Sequence, residues 1–345
     1  MHPRQAITCV AVCIGCFCLT AIGLHVALPA PDIAGLTPKL RFVAAHADQI
    51  DTLFIGTSRV YHALNPQIFD ETTAVAGSPT HSYNFGVNGM AAPESFYVMD
   101  QVLASKPRNL RWVFLEFDDL QVTLAPDDLR TRRALYWHDW NRTRLIFRKV
   151  LELDVRERWK QKRKRLIHNS DTLMSHLGLC IRYFVNLGRG MDLAGFAPPE
   201  DDLPQNEYEP NGDGFAPTST QMDEARASRY EKALAEDIAN ANPRAMDSYA
   251  DKEYRRYAEA FRAEGATPIF FVPPSTMSAV PAKFRGPPPA PVISFNDVRL
   301  YPDLYRPEAR IDEGHLNSVG AAEFTKLLAQ RFVEIELPRP TANER

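Results

Sequence analysis

Asp51-Thr-Leu-Phe-Ile-Gly-Thr-Ser-Arg59 is a short apolar run that stops at a Gly-x-Ser turn. Leu53-Phe-Ile55, bounded by Asp51 and Gly56, predicts a buried β-strand. Ser58 then stands at the carboxyl end of that strand, where an open α/β sheet presents groups to a ligand. The complementary stretch, Ile311-Asp-Glu-Gly-His-Leu-Asn317, lies near the other end of the chain, just before a helical pattern. Three positions apart on one turn, Asp312 and His315 can meet directly. A serine hydroxyl is a weak nucleophile until a base takes its proton and an acid holds that base in the right tautomer. Ser58 is therefore the candidate nucleophile, His315 its base and Asp312 the orienting acid. Ser58 Oγ is expected within about 3.5 Å of His315 Nε2. Each residue also has a structural reading: Ser58 as a helix cap, His315 as a surface histidine, Asp312 as its loop partner.

Outward from these stretches, strands and helices alternate. Ser82-Tyr-Asn-Phe85, ending at Gly86, and Arg111–Phe117 read as strands. Between them a helix from Pro93 carries Phe96, Met99, Val102 and Leu103 on one face and ends at Pro107. Tyr254–Gly265 reads as a helix stopped by its glycine. It feeds Pro268–Val272, whose continuous apolar character suits a parallel sheet. Pro291–Phe295 is a fifth strand, and a last helix from Ser318 aligns Phe324, Leu327, Leu328 and Phe332. The expected fold class is α/β, with a doubly wound, mainly parallel five-stranded sheet.

Between about 120 and 250 the alternation lapses. Val155–Arg165 is a basic, helical run open to three readings: anionic lipid heads, a polyanionic glycan, or water alone. Leu173–Leu187 reads as an amphipathic packing helix, and Glu200–Gly214 as an acidic, proline-containing loop. The block reads as a largely helical insertion capping the active face of the sheet.

Residues 1–30 are a different material. After Arg4, Ala6–Leu28 runs without a charge except at His25, long enough to span a bilayer, with Arg4 as a cytoplasmic flank. The expectation is a single inner-membrane span with residues 31–345 on the extracytoplasmic side. A cleaved signal peptide, with a small-residue site near Gly23 or Ala30, is the competing reading and exports the same body. Cys9, Cys13, Cys16 and Cys18 lie inside this segment, which leaves Cys180 alone in the body and hence no intramolecular disulfide there. Cys13 and Cys16 have redox spacing without a βα context, and a lipobox ending at Cys16 lacks the upstream leucine.

With 45% hydrophobic and 24% charged residues, the chain can bury a real core. A formal charge of −3 argues against nucleic acid as a partner. No P-loop, dinucleotide fingerprint or zinc-protease helix is present, and no cofactor or metal is implied. A metal site combining Asp118 or Asp119 with His315 has no ligand spacing behind it. His62 and His81 lie near the candidate site in sequence and read as loop histidines.

The chain resembles the SGNH or GDSL-type serine hydrolases over about 51–118 and 250–335. Gly56-Thr-Ser58-Arg matches the first block, with threonine where the family usually has aspartate. Asn84-Phe-Gly-Val-Asn-Gly89 resembles the second, in which a glycine amide points into the oxyanion hole. Asp312-Glu-Gly-His315 matches the last. The continuation Leu316-Asn-Ser-Val-Gly-Ala321 is similar to the membrane-anchored exported branch, which includes proteins of alginate O-acetylation and teichoic-acid D-alanylation. The resemblance implies a flavodoxin-like sheet, a Ser58–His315–Asp312 triad and oxyanion donors from the amides of Ser58 and Gly89. Asn88 stands beside them, as much a turn residue as a donor. It also implies acyl-ester hydrolysis or O-acyl transfer on a cell-envelope glycan, with an acyl donor or a membrane-bound acyltransferase as partner. The third block departs from the family. Phe114-Leu-Glu-Phe-Asp-Asp119 has no asparagine to donate to an oxyanion, and the loss of one such donor costs on the order of a hundredfold in turnover. That departure keeps a rival open: a catalytically weak glycan-binding or scaffold subunit.

Overall fold

The computed structural model describes residues 3–27, 33, 35–124, 129, 131–151, 159–185, 209, 211–240, 244–276, 281 and 283–336. It divides into two units, residues 1–37 with 121–201, and residues 38–120 with 202–345. In chain order the strands are β1 (Thr52–Gly56), β2 (Ser82–Gly86), β3 (Trp112–Glu116), β4 (Thr267–Val272) and β5 (Val292–Ser294). The described α-helices are α1 (Pro3–Ala27), α2 (Thr37–Ala45), α3 (Ser58–Ala63), α4 (Pro66–Val75), α5 (Glu94–Ser105) and α6 (Arg132–Tyr136). They continue with α7 (Trp140–Leu151), α8 (Trp159–His168), α9 (Ser170–Phe184), α10 (Glu224–Asn240), α11 (Ser248–Ala263) and α12 (Ser318–Glu336).

All five strands are parallel, in the order β2-β1-β3-β4-β5, so the sheet is wholly rather than mainly parallel. Their residues are apolar on both faces, and such a sheet must be covered on both. Phe54, Phe114, Ile269 and Phe271 face one way, into a cluster with Phe69 of α4 and Phe324, Leu328 and Phe332 of α12. The Phe332 ring lies 5.2 Å from Trp112 and 5.5 Å from Phe114. On the other face Tyr254 of α11 meets Phe96 of α5 at 5.1 Å and Phe270 at 5.9 Å. Aromatic pairs of this kind contribute about 0.5–1.5 kcal/mol each beyond area burial.

Helix α11 starts six residues before the expected Tyr254. Asp247 caps it by accepting from the Tyr249 and Ala250 amides, and its buried face begins at Ala250. β1 has β2 on one side and β3 on the other, so successive crossovers leave it in opposite directions. Ligand crevices open at such a reversal, beyond the carboxyl ends of the strands. Two glycines let α3 sit close over these ends. A Cβ on Gly56 would stand 2.2 Å from Val60 Cγ2, and one on Gly86 would stand 2.3 Å from the Tyr61 amide nitrogen.

In the other unit, α1 is the one described helix long and apolar enough to cross a membrane, over Pro3–Leu24 with a mean hydropathy of 2.4. The expected packing helix is α9, which buries Leu173, His176, Leu179 and Cys180. His138 and His176 are hydrogen-bonded to each other at 2.8 Å inside this unit. The basic run is helical over α8, while 152–158 lie outside the described residues. The acidic loop lies outside them at 200–208 and 210, as does Ala30.

Candidate active site

The Gly56-Thr-Ser turn carries the chain from β1 directly into α3. Thr57, not Ser58, caps the helix: its Oγ1 accepts from the Arg59 amide at 3.1 Å. Threonine and aspartate are both N-cap residues, which accounts for threonine at this position. Freed of that role, Ser58 is the first helical residue, and its Oγ lies 2.7 Å from His315 Nε2, inside the expected separation.

His315 and Asp312 sit on a tight turn ahead of α12. Asp312 Oδ1 accepts from the Gly314 amide at 2.7 Å, the His315 amide at 2.8 Å and His315 Nδ1 at 2.8 Å. A carboxylate accepting from Nδ1–H leaves the Nε2 lone pair facing the serine. Burial pushes the Asp312 carboxyl up. The hydrogen bonds from the ring and the Gly314 amide, with the histidine charge, outweigh it and hold the pKa down to about 2, below the ordinary 3.8. A carboxyl held low when folded stabilises the fold above its ordinary pKa, and that contribution is lost as pH falls through the folded value. Denaturant titrations should therefore find wild type more stable than Asp312→Asn at pH 5 to 7, by up to about 2 kcal/mol. The difference should shrink between about pH 4 and 2. A pH-independent difference would contradict an ionised, bonded Asp312.

The turn is held from behind by a residue the sequence did not single out. Arg310 is fully buried, and its guanidinium donates to the carbonyls of Leu304 at 2.9 Å, Glu313 at 2.9 Å, Asp312 at 3.2 Å and Pro274 at 3.2 Å. Asn317, also buried, caps α12 through the Val319 and Gly320 amides and donates to Glu308 O at 2.7 Å.

Asn88 and Gly89 form an exposed turn after β2, closed by the Met90 amide on Val87 O. Val87 in turn donates to Gly56 O, which ties this turn to the strand end just before Ser58. Gly89 has φ +67°, a conformation that favours glycine. Neither its amide nor that of Ser58 is hydrogen-bonded to another described residue. Asn84 faces inward instead, its amide donating to Val60 O and Leu64 O and fixing the far end of α3.

The third block forms an ionic lock beneath the nucleophile. Buried Glu116 accepts from the Thr57 amide at 2.6 Å and Arg59 Nε at 2.7 Å, and Asp118 takes Arg59 Nη2 at 2.6 Å. Glu116 and Asp118 share one strand parity and therefore one partner. Asp119, of the other parity, pairs with Arg244 and accepts from the Asp247 amide at 2.7 Å. The carboxylates thus face arginines. Among the described residues no group of three His, Cys, Asp or Glu is placed to hold a metal ion.

A further frame comes from the stretch 213–218, at the end of the expected loop Glu200–Gly214 and just beyond it. Asp213 O accepts from the Asn84 amide, Ala216 pairs with Tyr61 O, and Thr218 O accepts from Ser318 of α12. Buried Lys39 fastens it, donating to Gly214 O at 2.7 Å and Asn84 O at 3.0 Å; burial pulls its ammonium down to about 8. His62, one helical turn beyond Ser58, bonds to Ala216 O through Nδ1 and stands edge-on to His315 with ring centroids 6.1 Å apart. Burial lowers its pKa. His81 lies at the opposite end of the sheet: its carbonyl accepts from the Asp51 and Thr52 amides at the amino end of β1.

Comparisons with protein-family models, curated proteins and solved structures return no match to this chain. The chemistry therefore has to be read from the geometry alone. A serine hydroxyl within hydrogen-bonding reach of an imidazole that is backed by a carboxylate is an arrangement suited to nucleophilic attack on a carbonyl.

Proposed function

We propose that the chain is an exported, membrane-anchored, serine-dependent acyl-ester hydrolase or O-acyltransferase of the SGNH type, acting on a cell-envelope glycan. The observation that carries the reading is the continuous Ser58–His315–Asp312 chain, with links of 2.7 and 2.8 Å. The strand order, with the nucleophile beyond the central β1, supports a flavodoxin-like SGNH sheet. His315 takes the Ser58 proton as Oγ attacks the ester carbonyl, and the amides of Ser58 and Gly89 receive the oxyanion. The imidazolium then protonates the leaving alcohol, and an acyl-serine remains. Water releases a free acid; a sugar hydroxyl gives a new ester. The acyl group comes from an acylated glycan or a membrane-bound acyltransferase.

One feature favours the second reading, a catalytically weak glycan-binding or scaffold subunit. The third block spends Glu116 and Asp118 on Arg59 and offers no side-chain donor to an oxyanion. A fluorophosphonate probe separates the two. Covalent labelling of the intact protein, mapped by peptide mass to Ser58 and lost in His315→Ala, is the expected result. An unlabelled Ser58 under conditions that label an ordinary serine esterase would leave the scaffold reading standing.

A further inference from the structure

The basic helix α8 has no part in the site above. Lys160, Arg163 and Lys164 are exposed on it, and the helix contains no acidic residue. Beside these cations the same unit exposes large apolar side chains that a soluble surface does not call for. Leu166 is 48% exposed and Ile167 61% at the end of α8; Met174 is 64%, Ile181 53% and Phe184 47% exposed on α9. Met174 and Ile181 are seven residues apart and so lie on one line of the helix, about a quarter-turn or more from the buried Leu173, His176 and Cys180. Gly178 falls on that line, and a Cβ there would meet nothing within 4 Å. Helix α1, apolar and exposed over most of its described side chains, packs against α9 within this unit.

We propose that α8 and α9 form an interfacial foot that lies on an anionic bilayer surface, with Met174, Ile181 and Phe184 entering the acyl boundary and the α8 cations at the lipid phosphates. The choice among partners follows from the two kinds of side chain being adjacent. A polyanionic glycan would pair the cations and leave five large apolar groups in water, and water alone would satisfy neither the apolar line nor the charge balance. A bilayer interface accepts both, as amphipathic basic helices do. Each Lys or Arg near such a surface strengthens binding by about fivefold. Continuity supplies the remaining argument, because a membrane that holds α1 reaches the helix α1 touches. The inference rests on the anchored reading of α1.

The test uses the full chain carrying Met174→Trp, reconstituted in nanodiscs of phosphatidylcholine with or without phosphatidylglycerol. Co-elution with the discs reports α1, and quenching of the added indole reports the foot. In discs containing phosphatidylglycerol, brominated lipid should remove about half or more of the added emission, as expected for burial at the acyl boundary. Acrylamide should lose access to it. Phosphatidylcholine alone should give the weaker effect. Adding Gly178→Glu, which has room for its side chain, should reverse both readings; Ile181→Trp repeats the measurement should Met174→Trp fold poorly. An added indole that stays open to acrylamide and unquenched by lipid, in discs that carry the protein, overturns the foot alone. Failure to co-elute with discs overturns the anchor, and the foot with it.

Discussion

Ser58→Ala and His315→Ala should each lower acyl turnover on an aryl ester by on the order of 10⁴-fold or more, and by similar factors, because triad members act as a unit. The 2.7 Å contact makes the two residues one proton-transfer device, and removing either end leaves the other without a task. Asp312→Asn is the more informative variant. Its Oδ1 can still accept the Gly314 and His315 amides, so the turn keeps its shape. A neutral amide stabilises no imidazolium, however, and its NH₂ can turn toward Nδ1 and select the wrong tautomer. Turnover should fall by roughly 10³-fold or more while the folded structure persists. Steady-state rates with each variant, alongside far-UV circular dichroism, check this. Turnover that survives Ser58→Ala would remove the acyl-serine route. Loss of glycan modification in cells on deletion, with Ser58→Ala still active there, would favour the scaffold.

Arg310→Leu should destabilise the sheet unit by about 3 kcal/mol or more, since it leaves buried carbonyls without donors. The carbonyls of Leu304, Pro274, Asp312 and Glu313 all lose a donor in one step. Two of those carbonyls belong to the turn that carries the catalytic pair, so probe labelling of Ser58 should fall along with the denaturation midpoint. Exposed Arg299, paired with Asp297, provides the contrast: its replacement should leave the denaturation midpoint close to that of wild type. An Arg310→Leu midpoint equal to wild type would mean that the carbonyls find other donors and that the turn supports itself.

The strands were legible because a parallel sheet covered on both sides needs unbroken apolar runs, and Leu53–Ile55 and Pro268–Val272 are such runs. Helix α11 was legible only from Tyr254, since Asp247 and Ser248 announce a start by capping rather than by periodicity. Ser58, Asp312 and His315 stood out by residue type and element. What holds them did not. Lys39 and the stretch 213–218 act through contacts between residues far apart in the chain, and Arg310 mostly through carbonyls of the irregular backbone around it; neither leaves a period or motif. The ionic lock was half legible: alternation separates Asp119 from Glu116 and Asp118, but only the fold reveals that Arg59, beside the nucleophile, is what the other two share.

The nucleophile and its base are 257 residues apart, and α12, the last described helix, closes over α3 and α4. A ribosome therefore delivers the serine well before the histidine. On the proposed mechanism, every partial chain short of Asp312 carries Ser58 without its base and is chemically silent toward esters. The same order makes α12 a point of control on the proposed mechanism. Clipping α12 would strip Phe324, Leu328 and Phe332 from the face of the sheet that supports Ser58 and disarm the hydroxyl without touching it. On the proposed mechanism, a chain stalled before Asp312 needs no separate device to keep its serine harmless.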